Sequence, residues 1–313
     1  MKAPLDQKTL DDLRRQAEYF VAREERARER LAQVKGRSWY FALVGFASEA
    51  DHITLAPLGF IQPIIDPPGE MALARAMRRP ELFSAVGRYA RFATHELVVD
   101  RDVGLEDKIL HSLSYRLLGA LRVKSLAEFL VPAVSDHSWS TVEGVADHSC
   151  DIRLLEDIPS ALRPPAAPIS VVDARWAEEH FMRYMELAAN ASFDLATEAL
   201  ISLHFLQSRR LQTASLWSAI EAIFAVQSEL RFRIAALVAS QLAPRGTERR
   251  DLYKRVLKLY DVRSKAVHGS AVTDKALEDH VAEVRILLSR ILCGIIERGS
   301  WMSPEDSERA LFE

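Results

Sequence analysis

The stretch LYDVRSKAVHG, Leu259 to Gly269, closes a helical pattern and sets an arginine and a histidine five positions apart at its end. Upstream, Leu252, Val256 and Leu259 recur at helical spacing, and the next steps along that apolar stripe are Arg263 and Val267. A second stripe runs Tyr253, Leu257, Tyr260, Ser264, His268. At about 100° per residue, a five-residue step turns about 140°, so Arg263 and His268 do not share a face of an ideal helix. The reach of the arginine, unwinding of the last turn at Gly269, or a second copy of the helix across a two-fold axis would each bring them together. Basic groups also suit a helix C-terminus through the dipole alone. Two readings therefore stand at this point: ordinary helix-end residues, or the working pair of a phosphate-handling site.

The chemistry suited to such a pair is cleavage of RNA without a metal. An imidazole can take a proton from a ribose 2′-hydroxyl or give one to the leaving oxygen, and a guanidinium can fork onto phosphate oxygens. From Arg245 to Lys265 there are eight Lys/Arg against three Asp/Glu, a local excess suited to a phosphodiester backbone. Within it, Arg255, Lys258, Tyr260 and Lys265 are candidate substrate contacts. Glu221, among apolar neighbours in SLWSAIEAIF, needs a partner, and it is either an ion pair that positions Arg263 or a polar member of the site.

Outward from this segment the texture is helical. The patterns predict helices from Ser170 or Asp173 to Phe205, Leu211 to Leu242, Glu248 to Val267 and Asp274 to Arg298, four helices on short connections and hence a bundle. IPSALRPPAAPIS, Ile158 to Ser170, reads as a Pro-rich linker. Before it, SWYFALVGFA at Ser38 to Ala47 reads as a strand, Glu70 to His95 and Leu105 to Leu130 as helices, and Cys150 to Leu155 as a short strand. Asp6 to Val34 reads as a charged helix with a thin apolar stripe, its Arg/Glu pattern expected on a solvated face. The expected organisation is a charged helix over 1–36, an α+β module of unknown role over 37–157, the linker over 158–170, an all-α bundle over 171–300 and a tail over 301–313.

The 313 residues are 49% hydrophobic, enough for one or two domains, and the formal charge of −3 confines any electrostatic recognition to local patches. The two cysteines, Cys150 and Cys293, lie far apart without a C-x-x-C spacing, so neither a disulfide scaffold nor a zinc ribbon is expected and a cytoplasmic setting suits them. The charged opening has no apolar core of a secretory signal, and no run reaches the roughly 18 apolar residues of a membrane span.

Further patterns carry less. Asp136-His137-Ser138 and Asp147-His148-Ser149, the latter running into Cys150, contain metal-ligand residue types, yet the stretch has no recognisable ligand spacing and turn chemistry accounts for it. His95-Glu96 is only half of an H-E-x-x-H motif. Phosphate-cradling glycine motifs are lacking. No metal and no cofactor are expected. Trp217, Ile220 and Phe224 are helix-spaced and read as core.

The segment SLWSAIEAIFAVQSELRFRIAALVASQL, followed by a basic helix ending in LYDVRSKAVHG, resembles the HEPN superfamily and more closely its Apea-like branch. The resemblance covers about Asp173 to Arg298 and is most specific over Tyr260 to Gly269. The family's Arg-polar-x-x-x-His motif falls on Arg263, Ser264 and His268, and Glu221 stands where relatives often carry an acidic residue. The resemblance implies an all-α bundle whose homodimer builds a composite site for cleaving RNA, with no required metal, and service in antiviral defence or a toxin system. Its alternative is a catalytically silent module for RNA binding or dimerisation. The N-terminal part resembles no named family and is the expected place for a regulatory partner or trigger.

Overall fold

A computed structural model describes residues 7–101, 109–156, 167–226, 229–301, 303, 306, 309 and 311. The chain divides into two compact units: one from the N-terminal helix to Ser114 together with Phe129–Ile169, the other Tyr115–Glu128 with Ser170 to the C-terminal residues. The expected linker over 158–170 lies outside the described residues as far as 166. Most of the tail over 301–313 and the first six residues lie outside them too.

The first unit is built on a six-stranded antiparallel sheet of order β2-β3-β4-β1-β5-β6. Its strands are β1 (Ser38–Val44), β2 (Ile53–Leu55), β3 (Gly59–Pro63), β4 (Ala93–Asp100), β5 (Ala133–Ser135) and β6 (Ile152–Leu154). The aromatic, β-branched run SWYFALV becomes central β1, paired with β4 from Ser38↔Asp100 to Val44↔Ala93 and with β5 at Tyr40↔Ser135. Both faces of β1 are buried, which explains its continuous apolar character. Tyr40, Ala42 and Val44 pack with α2 (Glu70–Ala76), α3 (Phe83–Ala90) and Trp139.

The single helix expected over Glu70 to His95 is corrected. It is two short helices with a 3₁₀ turn at Pro80–Leu82, and the expected helix end at His95 lies inside β4. Leu105 to Leu130 narrows to α4 (Leu110–Ser125), ended by Leu126 at φ 55°, with residues 105–108 outside the described set.

The charged helix α1 (Gln7–Gln33) is docked rather than fully solvated. Arg23 donates to Glu143 at 2.9 Å and to the Pro67 carbonyl at 2.7 Å, and Arg30 donates to the Ser140 carbonyl at 3.0 Å. Gly144 permits the approach, because a Cβ there would meet the Ala27–Arg28 backbone. An i,i+4 pair, Arg28–Glu24, is present, and the same Glu24 oxygen meets Arg75 of α2 at 3.3 Å.

The second unit holds α5 (Val171–Leu187), α6 (Ala191–Ile201), α7 (Arg209–Phe224), α8 (Leu230–Leu242), α9 (Thr247–Val267) and α10 (Asp274–Arg298). Among the described residues, six α-helices from Val171 to Arg298 replace the four expected. Asn190 splits the first, its Oδ1 accepting from the Ser192 and Phe193 amides as an N-cap. The second is divided between Ala225 at φ 49° and Glu229 at φ 52°. The last two helices match expectation within a residue at each end. α10 packs on each of α5 to α9, with Leu288, Leu292 and Ile296 fully buried along it. The part of α4 from Tyr115 belongs here as well: Gly119 lies against the Tyr184 ring, and the Val123 carbonyl accepts from Ser289 at 2.7 Å. Among the described residues, no helix is long and apolar enough to cross a membrane.

Candidate functional site

α9 begins after Gly246 and ends at His268, which has φ −87° and ψ 13°. Gly269 follows at φ +75°, the left-handed position that a glycine occupies without steric cost. The Ser270 amide returns to the Lys265 carbonyl at 3.0 Å, closing the outer bond of a Schellman turn. Arg210, at the start of α7, completes the closure: its guanidinium donates to the Ala266 carbonyl at 2.6 Å and to the Ser270 carbonyl at 3.0 Å. Orphan carbonyls of the last turn are thereby satisfied by a side chain 56 residues away in sequence. Nothing in LQSRRLQT announces that role, since the partner is long-range.

Arg263 lies on the inner side of α9. Its Nη2 stands 3.0 Å from Glu221 Oε1 on α7, with 18% and 21% of the two side chains exposed. The Tyr260 hydroxyl donates to the same Glu221 oxygen at 3.3 Å, and the Arg263 guanidinium carbon sits 5.3 Å from the Tyr260 ring centroid. Burial pushes the Tyr260 hydroxyl pKa up, and the charge of Arg263 offsets part of that. Arg263 Nε is buried with no hydrogen-bond partner among the described residues. Of the two roles weighed for Glu221, the ion pair to Arg263 is present.

Behind this trio, the Trp217 ring meets Tyr260 edge-on at 5.1 Å, and its indole N–H donates to His280 Nε2 at 3.0 Å. His280 is 3% exposed, and burial lowers its pKa to about 4. Trp217, Ile220 and Phe224 are buried, as their spacing implies. The Trp217–His280 bond was not legible in sequence because the partners lie on different helices.

The apolar stripe of α9 stops earlier than expected. Val256 and Leu259 are buried, but Val267 is 43% exposed. On the outward side, Lys254, Lys258, Lys265 and His268 are exposed, and Asp261 is half-buried. Residues 254, 258, 261, 265 and 268 fall within about 40° of one helical face. Asp261 interrupts this basic stripe, but Arg231 of α8 forks onto it at 2.6 and 2.8 Å. Arg255 is committed elsewhere, to a two-pronged ion pair with Glu283. Ser264 is half-buried, its carbonyl accepting from the His268 amide at 3.1 Å. Arg263 therefore faces inward while His268 faces outward, as the 140° step requires. The last turn is not unwound, since α9 stays helical through Val267.

In the first unit, Asp136 and His137 come together with Cys150, with one ligand-type atom of each lying within 4.8 Å of the others. The second triplet forms a turn, with His148 at φ 55° and its ring Nδ1 at 3.2 Å from the Met77 carbonyl. Glu96 is not part of a metal motif. It is fully buried and accepts from Gln62 at 2.7 Å, Ser138 at 2.7 Å and the Trp139 amide at 2.8 Å, and burial raises its pKa despite these donors.

The chain matches no family model, no curated protein and no solved structure with which it was compared. The HEPN likeness therefore rests on the motif residues, and the functional reading on the geometry around them.

Proposed function

We propose that the second unit is a metal-independent endoribonuclease module of the HEPN kind, acting on RNA as a homodimer in antiviral defence or a toxin-type system. The observation that carries the reading is the pairing of an exposed His268, at the end of the Lys254–Lys258–Lys265 stripe, with an Arg263 held in one orientation by Glu221. A phosphodiester backbone following the stripe would arrive at the imidazole. There His268 would take the proton of the 2′-hydroxyl, whose oxygen attacks phosphorus. The P–O5′ bond breaks, the leaving oxygen takes a proton from a second imidazole, and a 2′,3′-cyclic phosphate remains. Arg263 would offset charge growing on the phosphate oxygens.

Because the two side chains face apart within one chain, a second copy is the natural source of the missing partner, each chain lending one group to a shared cleft. A silent RNA-binding or dimerisation module is the rival, favoured by one observation: Arg263 already has a carboxylate partner. Incubating the full chain with total RNA in a chelator, beside His268→Ala, separates the two. The nuclease reading requires fragments from the parent and none from the variant. Intact RNA in both leaves the silent module.

A further inference from the structure

A cleft outside the candidate site lies wholly within the first unit, a hollow of about 480 Å³. That size is in the range of small-molecule sites, about 300–1,000 Å³. Leu31 and Val34 at the end of α1, with Tyr40 of β1, give it an apolar side. Arg37, Arg78 and Arg101 border it, together with the Asp136–His137 pair and Asp151.

The charges are not self-compensated. Asp151 is held at 2.8 Å by Arg153 and at 3.3 Å by Arg79, neither of which lines the hollow. Asp136 accepts from His137 Nδ1 at 2.7 Å and from the Asp151 amide at 2.8 Å, with Arg78 at 3.9 Å. Among the described residues, Arg37 and Arg101 pair with no carboxylate. Arg101 is nonetheless fixed in place, stacked 4.1 Å over the buried Trp39 ring while Arg153 stands 4.8 Å from the same ring. A stacked guanidinium keeps its N–H edge for a ligand and loses little entropy on binding. With His137 Nδ1 engaged by Asp136, the ring atom left for a ligand is Nε2.

We propose that this cleft binds a nucleoside phosphate, its phosphate taken by Arg37 and Arg101 and its base laid against Leu31, Val34 and Tyr40, with His137 Nε2 left to accept from a ligand hydroxyl. Arginine forks match phosphate geometry, and an anion relieves the excess of guanidinium charge. The Asp136–His137–Cys150 group argues less well for a cation. Asp136 Oδ1 already accepts two hydrogen bonds, Cys150 is fully buried with its thiol pushed up to about 12 by that burial, and arginines surround the place. The proposal is independent of the nuclease reading of the second unit.

The test is calorimetric titration of the full chain at low salt with the four ribonucleoside 5′-monophosphates, the matching nucleosides, inorganic phosphate and Zn²⁺. At least one monophosphate is expected to bind with Kd below about 1 mM, and its nucleoside at least about tenfold more weakly. Arg37→Glu, an exposed position, should abolish binding with the thermal midpoint unchanged, and Arg101→Ala should weaken it about tenfold or more. The proposal is overturned if no monophosphate binds at about 5 mM, if nucleoside or inorganic phosphate binds as tightly as the nucleotide, or if Arg37→Glu changes nothing. Stoichiometric Zn²⁺ binding lost in Cys150→Ser, without nucleotide binding, would make the cluster a metal site instead.

Discussion

Glu221 holds Arg263 at 3.0 Å on the inner side of α9, while His268, five residues on, is exposed on the outer side. The ion pair fixes the arginine's rotamer and directs the charge toward α7, so Arg263 and His268 stand on separate faces of the helix.

Replacing Glu221 by Gln tests what that pair is for. The partners are about one-fifth exposed, so solvent screening keeps the stability cost near 1 kcal/mol rather than the several expected of a fully buried pair. If Arg263 must be oriented to meet phosphate, RNA cleavage should fall by about tenfold or more, beyond what the stability change accounts for. A shifted urea midpoint with unchanged cleavage would make the pair purely structural.

Acid should loosen the second unit through two histidines. Burial lowers His280 and His204 to about 4, from the ordinary 6.5. Above pH 6.5 both are neutral whether the chain is folded or not. Between about 6.5 and 4 the unfolded chain takes up protons that the folded unit refuses, so stability falls as pH falls. The slope is at most about 1.4 kcal/mol per pH unit for each histidine, with His204 discounted because it is only half-buried. Urea midpoints from about pH 7 to about pH 5 should decline, and His280→Gln should flatten part of the decline. An unchanged slope in the variant would place the acid sensitivity elsewhere.

A fragment beginning at Ser170 should not behave as an intact bundle. It lacks Tyr115–Glu128, which packs in the second unit and supplies the Glu128 carboxylate to Arg285 at 2.6 Å and the Val123 carbonyl to Ser289. Its thermal midpoint, followed by circular dichroism, should drop well below that of the full chain. Gly119→Ala in the full chain should act through the same contact. A methyl there meets the Tyr184 ring, an overpacking cost of about 1–3 kcal/mol. A fragment as stable as the full chain would refute this assignment.

The ends of α9 and α10 were legible because each is marked locally: Gly269 and Gly299 take left-handed conformations, and Thr273 caps α10 through the Ala276 amide. The break between α7 and α8 was not. Ala225 and Glu229 adopt positive φ, residue types that carry no such signal, within a run of unbroken helical periodicity. The first three residues of β4, Ala93 to His95, were taken into the preceding helix, and the rest of the strand went unread because Glu96–Val99 is buried by sheet neighbours rather than alternating in and out. The Glu221–Arg263 ion pair was recoverable from stripe and charge arguments. Arg210, Trp217–His280 and the arginines of the first unit's cleft were not, since each depends on contacts between distant elements.

The central claim is that His268 drives metal-independent cleavage at the ribose 2′-hydroxyl. The most direct measurement is end-group analysis of a short RNA incubated with the full chain in a chelator, beside His268→Ala, Arg263→Lys and an all-deoxy strand. The account predicts fragments ending in 2′,3′-cyclic phosphate or its opened form, none from His268→Ala, a partial yield from Arg263→Lys because a point charge cannot fork, and an untouched deoxy strand. Cleavage that the chelator abolishes and divalent ions restore, or that proceeds as fast with His268→Ala or on the deoxy strand, would contradict it.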